Sequence, residues 1–327
     1  MAQKHESVLV VGGGIAGVTA AVEVAELGRQ VFVVERSASL GGRVSAMKAY
    51  FPKLCPPACG LEINYRRLEQ NPRVTVLNRC EVASIEGEPG NLAVKLTRRP
   101  SYVKPECRDP VKPFEKLNAT LPDPFNYGLA QRRPVGLAHP HAWPQEPFVM
   151  PEALESAETK SQLESLDCVD LGQKPEQFEL WVGSIIWATG WKPYDAAAID
   201  YLGYSAYPDV VSNVEFERLA APDGPNAGEL KRPSDGQPVK KVAFVQCAGS
   251  RDANHLPYCS AVCCLASLKQ STYVLDACED AEAWMFYIDI RAGRYESFLQ
   301  RLQQNERMHL VMGKVGLVEA TGSGTYR

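Results

Sequence analysis

The chain opens with a short apolar run from Ser7 to Val11, then apolar residues at helical spacing from Val18 to Leu27 that stop before Gly28. A second apolar run follows from Gln30 to Val34. Short apolar runs on either side of a helical pattern read as buried parallel strands around a crossover helix, so the first 35 residues form a βαβ unit. A comparable start appears at Val242–Gln246, an apolar run behind Lys240 and Lys241, followed by a helix-like stretch through Lys269. Between these units, Leu92–Thr97 and Phe178–Trp187 read as strands. They flank a stretch that holds 11 of the chain's 24 prolines, between Pro100 and Pro151. Proline lacks the N–H that helices and central strands need, so this stretch is expected to be an irregular insertion. His139 and His141 lie in it with no carboxylate or cysteine pattern beside them, and are expected on a solvated loop.

The apolar fraction of 45% and charged fraction of 23% over 327 residues describe an ordinary globular chain of two or three domains. A net charge of −4 gives no general attraction to nucleic acid or an anionic membrane. No apolar run approaches the roughly 18 residues of a membrane span, and the N-terminus lacks a signal-peptide layout. A cytoplasmic protein is expected. In that compartment ten cysteines point to metal or redox chemistry rather than structural disulfides.

At the first strand-to-helix turn stand Gly12, Gly14 and Gly17 in the pattern GxGxxG. Gly12 permits the tight turn, Gly14 lets backbone approach a pyrophosphate, and Gly17 allows close helix–strand packing. A diphosphate there rests on the helix N-terminus, where unpaired N–H groups favour negative charge. Glu35 ends the second strand in position to accept from a ribose 2′-OH, with Arg36 beside it as a further nucleotide contact. The order of strand, glycines, helix, strand and acid predicts dinucleotide binding. Gly41-Gly42-Arg43 resembles the second glycine turn of flavoprotein oxidoreductases, which packs against FAD. Ile185–Gly190, with Ala188-Thr189-Gly190 at its end, resembles the strand-plus-ATG segment that closes over the flavin nucleotide. Both favour FAD over NAD.

The second βα unit departs from the first at its turn. Where another glycine fingerprint belongs, the chain reads Cys247-Ala248-Gly249-Ser250-Arg251, so a nicotinamide pyrophosphate loses its cradle. Cys259, Cys263 and Cys264 follow. Four thiolates from one short segment are the usual ligand set for a [4Fe–4S] cluster, and a helix N-terminus behind Cys263 and Cys264 favours their ionised form. By spacing alone a four-cysteine zinc site and unligated core cysteines remain open. Cys55 and Cys59 form a second candidate, as a redox-active pair, an auxiliary ligand or reactive single thiol, or a structural turn. Cys80, Cys107, Cys168 and Cys278 stand alone and are expected to be core or surface thiols.

The segment from Arg232 to Lys269, with its Cys247/Cys259/Cys263/Cys264 motif, closely resembles the A-type subunit of heterodisulfide reductase and its bacterial relatives. These relatives are the heterodisulfide-reductase-like complex of sulfur oxidisers and the quinone-interacting oxidoreductase of sulfate reducers. "WATGWKPYDA" around Thr189 and "FYIDIRAGRYESF" from Phe286 fit the same family. The resemblance implies an FAD flavoprotein with one unusually ligated [4Fe–4S] cluster, serving as an electron-transfer subunit. It also implies that Lys269 matches a family lysine near the flavin ring, where a cation stabilises the reduced flavin; by itself Lys269 reads as a solvated helix lysine. Iron–sulfur B and C subunits are the implied partners, within a complex that contains a homodimer. Where many members carry a ferredoxin module after "RPxYV", "RRPSYVKPEC" keeps only Cys107, so further clusters are not expected. Ala320-Thr321-Gly322 spells the family's later ATG turn, but Thr321–Gly324 reads as a hairpin turn whose second strand is absent.

The expected fold is α/β, with two dinucleotide-binding, Rossmann-like domains of which the second carries the cluster. Residues 1–99 and 160–215 form the FAD domain, 100–159 the insertion, and 216–327 the nicotinamide-domain-like unit. The rival is a complex-assembly subunit whose flavin and cluster are mainly structural; a third reading, a free-standing NAD(P)H-dependent disulfide reductase using Cys55 and Cys59, is weakened by the missing second fingerprint.

Overall fold

A computed structural model describes residues 4–107, 109–322 and 325–327. The chain divides into two compact units, Met1–Ala46 with Pro56–Trp191, and Met47–Cys55 with Lys192–Arg327.

In the first unit, β1 (Val8–Val11), helix α1 (Ile15–Glu26) and β2 (Val31–Val34) form the opening βαβ unit, the strands within a residue of the expected bounds and the helix starting three residues earlier than expected. Gly17, Val18, Ala21, Val22 and Ala25 recur every three or four residues on α1 and are buried, which is why this run packs as a helix against the sheet. Helix α2 (Pro57–Gln70) begins with proline at its first turn and leads to β3 (Val74–Leu77). β4 (Cys80–Glu88) and β5 (Asn91–Arg98) form an antiparallel pair with β6 (Glu176–Val182). The run expected as one strand to Trp187 breaks at Gly183, and β7 (Ser184–Trp187) then joins a different sheet. Gly183 donates its N–H to the Ser7 carbonyl at 2.9 Å, and a side chain there would collide with the His5 backbone. The parallel sheet runs β7-β1-β2-β3, each neighbour in register with the next. One of its faces packs on α1 and α2 through Val10, Val33, Leu61 and Leu68; the other meets the antiparallel sheet through Leu9, Val11, Val94 and Leu96.

The proline-rich stretch, expected to be an irregular insertion, carries some regular structure. It has short strand pairs, the helix α3 (Ala157–Glu164) and its own core of Val103, Phe114, Leu117, Val135, Met150 and Leu163. Cys107 and Cys168, read from sequence as isolated thiols, are joined in a disulfide with Cα atoms 5.6 Å apart. The bridge between Val103 and Val169 brings their segments side by side across 61 residues, a proximity that no local pattern encodes. His139 is likewise not solvated: it is 7% exposed, 3.2 Å from the Ser39 hydroxyl and stacked on Phe125 at 4.4 Å. His141 is exposed, as expected.

In the second unit, α4 (Asn213–Ala220), β8 (Lys241–Val245), α5 (Cys263–Ala277), β9 (Glu282–Tyr287), α6 (Glu296–Gln303) and β10 (Met308–Met312) follow in order. The strands form a parallel sheet, β8-β9-β10. Its core gathers Phe244, Leu268, Val274, Met285, Leu299 and Met308. At the C-terminal end, Ala320 bridges Tyr326, and Arg327 N–H donates to the Glu319 carbonyl at 2.9 Å. The hairpin arm expected to be absent is therefore present, although two residues of the expected turn, 323 and 324, lie outside the described residues. Among the described residues no helix is long and apolar enough to cross a membrane.

Candidate functional site

The glycine turn of the first unit is built by exclusion of side chains. Gly12 has φ +107°, a conformation side chains disfavour, and a Cβ there would run into the Ala188 carbonyl; a Cβ at Gly17 would strike the Gly12 carbonyl. Turn and ATG segment are locked together: Ala188 N–H donates to the Val11 carbonyl at 2.8 Å. Gly14 bridges Gly41 of the second glycine turn, and Gly41 N–H donates to the Gly13 carbonyl at 2.8 Å. Helix α1 starts after Gly14 with neither a side-chain cap nor an acid in its first turn, so its leading N–H groups and positive dipole end are not neutralised by its own residues.

Glu35 is buried, accepting from Gly13 N–H at 2.7 Å and from Ser37 N–H at 2.8 Å. It therefore props the glycine turn as well as ending β2. Arg36 stays exposed and offers its carbonyl to Arg99 at 2.6 Å. Arg43 donates to the Trp191 carbonyl at 2.8 Å, with its guanidinium 5.0 Å from that indole's centroid. Gly12, Gly14, Gly17, Glu35 and Ala188 thus belong to one linked set with Gly42 against Gly14, while Arg43 is tied to Trp191 and Thr189 and Gly190 are exposed.

The second unit places the cysteines at the equivalent turn. Cys247 follows β8 with φ +57°, and Cys263 and Cys264 form the first turn of α5, which has no side-chain cap. The hydrogen bond from Cys264, helped by the Cys247 and Cys264 N–H groups and the Ser260 hydroxyl, lowers the Cys263 thiol to about 6 despite burial. The same bond and burial push Cys264 up. Burial and the neighbouring Cys263 raise Cys247, with Arg251 opposing them. Ala261 N–H donates to the Cys259 sulfur at 3.3 Å, and Arg251 in turn is ion-paired to Asp289. Among the described residues, no three His, Cys, Asp or Glu side chains are gathered as a single-ion site.

Lys269, on the same helix, is 4% exposed, which overturns its reading as a solvated lysine. Its ammonium lies 2.8 Å from Glu217 and donates to the Ala49 carbonyl at 2.6 Å. Glu217 also accepts from Gln270 at 2.7 Å, Lys48 N–H at 3.0 Å and the Tyr273 hydroxyl at 3.1 Å. Burial and this carboxylate push the Tyr273 phenol well above its usual range. Sequence reading missed Glu217. The signal was available: on α4 it shares the apolar stripe of Phe216 and Ala220, and an acid on such a stripe needs a buried partner. Of the other cysteine candidates, Cys55 bridges Tyr50 in the second unit and Cys59 is exposed in the first turn of α2; both are free thiols.

A protein-family model described as FAD-dependent oxidoreductase matches residues 7–70. Among curated relatives, the A-type subunit of the ferredoxin/F420H2-dependent CoB–CoM heterodisulfide reductase of Methanosarcina acetivorans is 34% identical over 323 residues, covering 97% of this chain and 41% of the relative. The chain is a homologue of the heterodisulfide reductase A-type subunit. A second relative, one of two A-type iron–sulfur subunits of the CoB–CoM heterodisulfide reductase of Methanopyrus kandleri, is 32% identical over 310 residues, 94% of this chain and 47% of the relative. This homologue spans about half the length of the curated relatives it matches. Bacillithiol disulfide reductase from Bacillus cereus aligns over 98% of the chain and 74% of its own at 11% identity, with a TM-score of 0.45, a likeness that adds nothing to the assignment.

Proposed function

We propose that this chain is an FAD- and [4Fe–4S]-containing electron-transfer subunit of a heterodisulfide-reductase-like complex in sulfur metabolism. The observation that carries the reading is the pairing of a side-chain-free glycine turn after β1 with a four-cysteine turn after β8. The first suits FAD. Gly12, Gly14 and Gly17 leave room for a diphosphate against the uncapped start of α1, Glu35 keeps acceptor capacity for a ribose hydroxyl, and Gly42, Arg43, Ala188, Thr189 and Gly190 form the rim with Arg36 outside it.

The second turn suits a cluster. Cys247, Cys259, Cys263 and Cys264 supply four sulfurs from one segment, and several N–H and hydroxyl donors converge on Cys263, the kind of hydrogen bonding that tunes cluster potential. Bound, the flavin exchanges one or two electrons and the cluster one, so a pair can be divided into single steps. The protein's own contribution is to hold both in separate, rigid turns. Lys269, the lysine expected near the flavin ring, is compensated by Glu217, so its positive charge is softened. Iron–sulfur B and C subunits or similar carriers are the proposed partners, the chain is proposed to form a homodimer in the cytoplasm, and residues 1–99 with 160–215 and residues 216–327 are the proposed flavin and cluster domains around the 100–159 insertion.

The sulfur-oxidation relative is preferred to the quinone-interacting one because no ferredoxin module follows "RRPSYV". A stand-alone NAD(P)H-dependent disulfide reductase is disfavoured by the cysteines at the second turn, where that cofactor's diphosphate needs glycines. Anaerobic quantification of iron, sulfide and flavin in the purified chain tests the reading. About four irons, four sulfides and one FAD per chain are expected. Zinc in place of iron, flavin alone, or bleaching of the flavin by NAD(P)H without partner subunits would refute it.

A further inference from the structure

The loop between Cys247 and Cys259 is gripped from outside by Tyr194. The ring of Tyr194 lies so close to Gly249 that a Cβ there would stand 2.5 Å from two ring carbons, which leaves only glycine at this position. Its hydroxyl is hydrogen-bonded to His255 Nδ1 at 2.6 Å, and the two rings meet edge to face at 5.9 Å. Gly249 and His255 belong to opposite limbs of the loop, and the limbs are cross-linked to each other. Leu256 N–H donates to the Gly249 carbonyl at 3.1 Å, while Arg251 N–H and the Ser250 hydroxyl both donate to the Tyr258 carbonyl, at 3.0 and 3.1 Å. One aromatic side chain therefore holds both limbs of a cross-linked loop.

Such a clamp has work to do. Cys247 and Arg251 hold φ values of +57° and +55°, conformations that non-glycine residues adopt at a cost and keep only where the surroundings dictate them. Two other ties to the loop, Lys314 to Asp252 at 2.6 Å and Arg251 to Asp289, each use one side chain that is about half exposed, and exposed pairs of this kind are worth little. We propose that Tyr194 is a positioning residue for the cysteine loop: its ring sets Gly249, its hydroxyl sets His255, and together they present Cys247 and Cys259 in one ligand geometry. This inference rests on reading the four cysteines as cluster ligands, and adds a residue that is not itself a ligand.

The test uses the full chain and the variants Tyr194→Phe, Tyr194→Ala, His255→Ala and the Tyr194→Phe/His255→Ala double. Three readouts are taken: iron release to a chelator, EPR of the dithionite-reduced protein, and amide hydrogen exchange across residues 249–258. Loss of the hydrogen bond should speed iron release about fivefold in Tyr194→Phe and in His255→Ala, with the double no worse than either single. Tyr194→Ala should be faster still and shift the EPR g-values, while Phe, keeping the ring, restores the line shape. Unchanged release in both single variants, or effects that multiply in the double, would overturn the clamp. Absence of iron in the wild type refutes the cluster reading instead. The clamp is then judged by exchange at Arg251 and Leu256, which must quicken in Tyr194→Ala; unchanged exchange there overturns it.

Discussion

The turn after β1 and the turn after β8 occupy the same place in two strand–turn–helix units, yet they are built on opposite principles. The first removes side chains, so that its backbone N–H groups and a helix N-terminus are left without a side-chain cap; an added methyl group at Gly12 or Gly17 meets a carbonyl at once. The second is crowded with side chains, and its non-glycine residues Cys247, Arg251 and Ala261 are held at positive φ by a web of hydrogen bonds. An anion is recognised by backbone, which every residue has, whereas a soft metal cluster is recognised by sulfur, which only cysteine supplies. If the second turn holds the proposed cluster, one topology exchanges a phosphate site for a thiolate site by changing what fills the first few residues beyond the strand.

If the two turns are independent, damage to one should spare the other. Gly17→Val, which forces a branched side chain into the Gly12 carbonyl, is expected to reduce bound flavin to near zero while iron per chain stays constant; parallel loss of iron would break the comparison. Removing the Glu217 carboxylate by Glu217→Ala strands Lys269 as a buried charge, and should cost the second unit about 3–5 kcal/mol in denaturant unfolding. The double Glu217→Met/Lys269→Met should recover most of that loss, because the penalty lies in the unpaired charge. In the first unit, Cys107→Ser opens a loop of 61 residues and should lower stability by about 2–4 kcal/mol, an effect that reductant reproduces in the wild type and that leaves the second unit's transition in place. The smallest effect belongs to Glu35→Gln. It keeps an acceptor but loses the charge that strengthens bonds to Gly13 and Ser37, and flavin affinity should fall about tenfold by equilibrium dialysis.

The glycine turn was legible because everything that makes it is local: an apolar run, three glycines at fixed spacing, a helical period and an acid at the next strand end lie within 35 residues. The second parallel unit was legible for the same reason. What escaped was non-local. The Cys107–Cys168 disulfide and the buried His139 depend on contacts across 61 and 100 residues, inside a stretch whose prolines signal only that regular elements are excluded. Lys269 reads as a surface lysine until Ala49, 220 residues earlier, and Glu217 close around it. Proline content reports on backbone hydrogen bonding and is silent on packing, so an irregular segment with its own core looks the same in sequence as a solvated one.

Cys263→Ser offers the most direct test of the central claim, that one chain carries a flavin turn and a separate cluster turn. Flavin absorbance and low-temperature EPR after anaerobic reduction are measured on the same samples of variant and wild type. About one flavin per chain is expected in both, with a reduced-cluster signal present in the wild type and lost or reshaped in the variant. A wild-type sample with flavin and no cluster signal, or a variant whose signal is identical to the wild type, would contradict it.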